Sequence, residues 1–340
     1  MEHASPVSVI VRFATIGLSG LVFCGCANEI SVKSGAGLSV ACESFVDNDL
    51  GVIDPVLSPD GEYIAYRAMT TDGPHVGEFR LSRFREGSVP LVLLKHGEFY
   101  GGASWSPDGK WISYTVSENI DDENVDDRVR LVAKSIYKVN IHTGQKTRLV
   151  DGRRLPSVGE YTAWTTGNEI LLATSDTIYS ISPDGGMPER RIIFDTPFLD
   201  APQHLVAAPG HNAVVFSIEG DYGHDVPESA GIWVADIDSN QLTQLTFGEL
   251  DYFPVWRDEL SILFMRLSHG LERPFLRMID IQNRTQVPVS SHGIFFSMAY
   301  SQYNDVMALV TADRLDSSGN DLNFFRGFSI SKCRLLESEH

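Results

Sequence analysis

The chain has 340 residues, 43% of them hydrophobic, with 29 glycines, 16 prolines and a formal net charge of −18. That length fits two domains or one large all-β domain, and the apolar content is ample for a buried core. The acidic balance excludes a nucleic-acid binder, because phosphate contacts need a basic surface; it reads as a solvated acidic surface that a basic partner or cations would suit. Outside the N-terminus no sustained apolar run has helical spacing, so many short strands are expected.

Residues 1–25 are read as an export signal. Arg12 precedes the apolar run Phe13 to Phe23, which is signal-peptide length and too short to span a bilayer. Gly25, Cys26 and Ala27 follow, and a small residue before a cysteine resembles the lipobox of bacterial lipoproteins. The resemblance implies cleavage after Gly25 and a lipid on Cys26. Phe23 and Cys24 depart from the usual Leu and Ala or Ser, and cleavage near Ala27 or a retained anchor stays open. Residues 26–37 are then a linker and 38–340 one domain. Only Cys42 and Cys333 remain in the processed chain, which makes them candidates for one disulfide, with two buried free thiols as the alternative.

Next comes an internal repeat. Its copies run Asp54 to Tyr66, Gly102 to Tyr114, Tyr161 to Leu172, Leu205 to Phe216, Phe253 to Phe264 and Met298 to Leu309. The anchors Leu57, Trp105, Trp164, Ala207, Trp256 and Tyr300 are spaced by 48, 59, 43, 49 and 44 residues. That is close to the period of a four-stranded propeller blade. Two copies carry Ser58, Pro59, Asp60, Gly61 and Ser106, Pro107, Asp108, Gly109. Proline presets a turn and glycine takes the left-handed position that closes a hairpin. Second hairpins are expected at His142 to Gln145, Ser182 to Gly186, Asp238 to Gln241, Gln282 to Thr285 and, more loosely, Glu86 to Ser88. The sixth copy lacks one strand, whereas Leu38 to Phe45 has no copy of its own. The N-terminal segment is therefore expected to complete the sixth blade and close the ring, setting Cys42 beside the strand of Cys333. A bond there would contribute about 4–5 kcal/mol in the disputed chain-entropy model.

Leu57 to Gly61, Trp105 to Gly109 and Ile232 to Phe247 resemble the TolB-type propeller repeat, and the resemblance spans about residues 38 to 336. It implies an all-β, six-bladed propeller of four-stranded antiparallel blades. The separate N-terminal domain of TolB has no expected counterpart. Copies three to six lack the Ser-Pro-Asp-Gly turn, so the resemblance speaks to fold more than role.

Catalytic signals are weak. No Gly-x-Ser-x-Gly follows the export segment, and a peptidase would need a further domain of roughly 200 residues. His75, His96, His142, His204, His211, His224, His269 and His292 form no closely spaced ligand pair. The acidic run Glu118 to Asp127 has no glycine for a calcium loop and reads as a solvated loop, as does Asp221 to Asp225. Trp105, Trp164 and Trp256 share one repeat position and are expected in the core between blades; Gly101 and Gly102 are too short for a nucleotide loop. No catalytic, cofactor or metal residue is therefore assigned. The expected function is a non-enzymatic, monomeric cell-envelope lipoprotein, facing the periplasm from the outer membrane and binding a protein or peptide. The alternatives are an oligogalacturonate-lyase-like enzyme with a metal at the channel mouth and a small-ligand sensor.

Overall fold

The computed structural model describes residues 38–48, 51–70, 73–95, 101–120, 131–154, 158–194, 201–218, 228–248, 250–267, 275–290, 294–312 and 328–337. The described residues are all-β but for one 3-10 turn, Gly152–Arg154, and no helix among them is long and apolar enough to cross a membrane.

Strand β1 is Leu38–Asn48. The first sheet then holds β2 (Val52–Leu57), β3 (Tyr63–Thr70), β4 (Gly73–Arg83) and β5 (Leu91–Leu94). The second holds β6 (Gly101–Trp105), β7 (Trp111–Ile120), β8 (Leu131–Asn140) and β9 (Lys146–Val150). The third holds β10 (Val158–Trp164), β11 (Ile170–Thr174), β12 (Thr177–Ile181) and β13 (Glu189–Ile193). The fourth holds β14 (Gln203–Ala207), β15 (Ala213–Ile218), β16 (Gly231–Asp236) and β17 (Gln241–Gln244). All four are antiparallel meanders.

The remaining strands form one sheet of eight, not two sheets of four. These are β18 (Leu250–Trp256), β19 (Ser261–Leu267), β20 (Phe275–Asp280), β21 (Gln286–Ser290), β22 (Ile294–Ser301), β23 (Val306–Ala312) and β24 (Phe328–Glu337), with β1 inserted between β21 and β24. The expectation of six separate sheets is corrected here. The cause is local: Leu38 and Ser39 at the start of β1 pair in parallel with Val289 and Ser290 of β21. The rest of β1 runs antiparallel along β24.

The first strands β2, β6, β10, β14, β18 and β22 touch one another in a closed cycle around an axis. Between neighbouring sets of strands lie six hydrophobic clusters of described residues. The anchors belong to them. Trp105, Trp164 and Trp256 are buried, and each indole N–H is satisfied. Trp105 Nε1 donates to Val56 O of the preceding sheet at 3.2 Å. Trp256 Nε1 donates to Val206 O at 3.0 Å, and Trp164 Nε1 to Asn168 Oδ1 at 3.0 Å. A flat aromatic with one polar edge thus fills the gap between sheets and ties them.

Antiparallel succession gives the ring two ends. At the turn end lie the connections from first to second and from third to fourth strands. The end is shared around the ring, since Ser301 Oγ after β22 donates to Pro59 O after β2 at 3.0 Å. At the connection end lie the links from second to third strands and from one sheet to the next.

Candidate functional site

The turn end is built by side chains at each hairpin. Ser58 Oγ donates to Asp60 Oδ1 (2.5 Å) and accepts from Tyr63 N (2.9 Å). Gly61 N donates to Ser58 O at 2.8 Å, and Gly61 sits at φ 69°. The second copy repeats this. Ser106 Oγ donates to Asp108 Oδ1 at 2.6 Å and accepts from Trp111 N at 2.9 Å, with Gly109 at φ 67°. Slight burial raises the Asp108 pKa, but the bonds from Ser106 and Lys110 outweigh it and hold the carboxyl below its usual range. Pro59 and Pro107 occupy the second turn position. The third copy does the same chemistry with other residues: Thr165 replaces serine and Asn168 takes φ 61°. His142 and His211 stand in turns at this end, and the His211 ring meets Trp256 edge-on at 5.3 Å.

Inside the ring, each first strand carries a bulge before its anchor. Three residues before the anchor stand Asp54, Gly102, Tyr161, His204, Phe253 and Ser297, one from each first strand. All six line a central cavity of about 70 Å³, room for about two waters. Four of them, Asp54, Gly102, His204 and Phe253, have φ between 52° and 59°. Gly102 is required: a Cβ there would lie 2.0 Å from Glu160 O.

The wall is mainly apolar, with Val56, Val206, Val255 and Met298 between the ring residues. The His204 ring centroid lies 4.6 Å from Tyr161 and 3.9 Å from Phe253. Its Nδ1 is 3.0 Å from Ser217 Oγ. Burial pushes the imidazole pKa down to about 3, so His204 is neutral in ordinary buffers. Ser297 Oγ is buried and makes no hydrogen bond among the described residues.

Carboxylates near the connection end are held by cations. Asp54 pairs with Arg67 at 3.0 Å. Burial raises its pKa, Arg67 opposes this, and Glu160 adds to the rise. Glu160 pairs with Lys134 at 3.4 Å. Asp251, fully buried, accepts two bonds of 2.6 Å from Arg266. Such pairs can orient strands and balance buried charge.

Cys42 and Cys333 stand opposite each other in the β1–β24 ladder, with Cα atoms 4.0 Å apart, joined as a disulfide. The export segment and Cys26 lie outside the described residues, as do His96, His224, His269, His292, Asp221 to Asp225 and all of the acidic run beyond β7. Sequence reasoning gave His204 no role and missed the cavity ring. Its signal was the anchor register itself, read three positions upstream.

TolB from Acinetobacter baumannii superposes with a TM-score of 0.54 at 18% identity, over 72% of this chain and 55% of that one. An oligogalacturonate lyase in complex with manganese gives a TM-score of 0.54 at 12% identity, over 90% of this chain and 99% of that one. A putative TolB from Agrobacterium tumefaciens gives 0.50 at 14%, over 75% and 89%. The fold is a β-propeller. The propeller therefore matches proteins of two different kinds, and this chain spans about half the length of the A. baumannii TolB. No protein-family model and no curated protein matches the sequence.

Proposed function

We propose that this chain is a non-enzymatic, six-bladed propeller of the cell envelope that binds a protein or peptide at its connection end. On this reading the eight-stranded sheet is two blades joined by β1. The observation that carries the role is the centre of the ring. A cavity of about 70 Å³ walled by aliphatic and aromatic groups is far below the roughly 300 Å³ at which small-molecule sites begin. The carboxylates beside it are paired. Binding then falls to the surface, where the propeller offers its two ends.

The connection end suits it better. The sequences that join second to third strands in four of the repeats, 121–130, 219–227, 268–274 and 313–327, hold twelve carboxylates against five arginines. That composition favours a basic partner. Export by residues 1–25, a lipid on Cys26, a monomeric state and a periplasm-facing outer-membrane position complete the proposal. The Cys42–Cys333 disulfide fits an oxidising compartment. Chemical cross-linking in intact cells, followed by purification of the chain from membranes, is expected to recover one partner in stoichiometric amount and to show acylated Cys26 by mass. A chain recovered alone and unacylated would overturn the reading.

A second reading has one observation behind it. The oligogalacturonate lyase in complex with manganese superposes over 90% of this chain and 99% of its own, and an enzyme of that kind would take a metal here. Manganese titration by calorimetry and ultraviolet detection of unsaturated uronate from oligogalacturonate test it; tight binding with turnover would favour the enzyme.

A further inference from the structure

We propose that strand β5, the outer edge of the first sheet, docks an extended acidic segment of a partner protein, which adds to the sheet as a further strand. This surface is separate from the connection end and does not rest on the function proposed for it.

Four sheets present an outermost strand with a single neighbour among the described residues: β5, β9, β13 and β17. Three of them are guarded. Lys146 and Arg148 stand on β9, Glu189, Arg190 and Arg191 on β13, and Gln241 and Gln244 on β17. Charged and amide side chains on an edge deter a chance strand from pairing. Strand β5 carries no charged or amide side chain of its own, its guards being confined to the flanking Pro90 and Lys95. It reads Leu91-Val-Leu-Leu94, with Leu91 58% and Val92 39% exposed, and Val89 just before it is 89% exposed. Among the described residues it pairs with β4 alone. An apolar edge with an open row of N–H and C=O groups is the arrangement that strand addition uses.

A cavity of about 610 Å³ opens beside this edge at the turn end, walled in part by Tyr63, Leu81 and Leu91. Ser88 Oγ, on its lining, is buried and makes no hydrogen bond among the described residues. Arg83 and Arg85 are exposed at its rim, with the Arg83 guanidinium 5.4 Å from the Tyr63 ring centroid. Lys95 stands just beyond the other end of β5. Glu86 is the one carboxylate lining the cavity.

In a chain of net charge −18, the exposed Arg83 and Arg85 beside this apolar edge select the occupant. Alternate side chains of an added strand point to the same face. Leu81, Arg83 and Leu91 share one face, so apolar side chains at the middle of the added strand would cover Leu91 and carboxylates at its turn-end residues would meet Arg83 and Arg85. A second copy of this chain would bring the same cations to the joint and a large like charge behind them, so the occupant is a segment of another protein.

The test uses the processed chain and two probes: a capped heptapeptide with two glutamates at each end and Val-Thr-Val between them, and its counterpart with lysine for glutamate. Fluorescence anisotropy is expected to show the acidic peptide binding at least tenfold tighter. Amide exchange at Leu91 to Leu94 should slow when it is bound. Leu91→Lys should weaken binding tenfold or more with an unchanged melting curve, and Arg83→Glu with Arg85→Glu should reverse the preference. Equal affinity for both peptides, or unaltered exchange along β5, would overturn the proposal. Self-association of the chain alone, abolished by Leu91→Lys, would also overturn it by giving the edge to a second copy.

Discussion

At one end of the ring each hairpin closes on its own residues; inside and toward the other end, order depends on partners far along the chain. Ser106, Asp108 and Gly109 complete a turn within six residues. Thr162 Oγ1, by contrast, donates to Gly102 O at 2.8 Å across 60 residues, and Thr115 Oγ1 donates to Glu160 O at 2.9 Å across 45. Redundant local bonds make each turn individually cheap to damage. Buried, non-local contacts at the ring make each residue costly to change.

The largest separation between the two regions should come from Asp251→Ala. It removes both carboxylate bonds from the largely buried Arg266 guanidinium, and loss of one partner of such a pair costs about 3–5 kcal/mol. Urea denaturation measures it; a change under 1 kcal/mol would break the comparison. Gly102→Ala should follow at about 3 kcal/mol, because the added Cβ meets the Glu160 carbonyl and must also hold a positive φ. Calorimetry reads the drop in melting temperature.

His204 sharpens the contrast through pH. Its folded pKa of about 3 lies below the ordinary 6.5, so below pH 6.5 the unfolded chain takes up a proton that the folded chain refuses. The His204 contribution is fully present above that pH and declines as pH falls toward 3. Linkage puts the loss at about 2–3 kcal/mol by pH 4.5. The gap in stability between wild type and His204→Phe should shift by that amount between pH 7.5 and 4.5; parallel curves would refute it. The smallest effect belongs to the turn end. Ser106→Ala should cost about 1 kcal/mol, the usual worth of a hydrogen bond, with the ring closed as before.

This difference also decides what the sequence could reveal. Ser-Pro-Asp-Gly turns and the Trp anchors are local, so they disclosed the hairpins and the four four-stranded sheets, while one strand too few at the end and one too many at the start disclosed the pairing of β1 with β24. The contact of Leu38 and Ser39 with β21 was hidden, because two residue pairs leave no pattern. The cavity ring was half visible. Asp54, Gly102, Tyr161, His204, Phe253 and Ser297 share a register but no chemistry, so only alignment on the anchors collects them. The need for glycine at 102 comes from Glu160, which no local motif mentions. Likewise the ion pairs Asp54–Arg67 and Asp251–Arg266 join residues on neighbouring strands whose facing depends on the bulges.

If function sits at the connection end, the two ends must differ in what they touch inside the cell. Phe247, 59% exposed, lies in the link between β17 and β18 at that end, and Tyr303, 81% exposed, lies in the turn between β22 and β23 at the other. A photoreactive phenylalanine analogue at each position, irradiated in intact cells, puts the question directly. The account predicts a discrete protein adduct from position 247 and none from position 303; an adduct from 303 alone, or from neither, would contradict it.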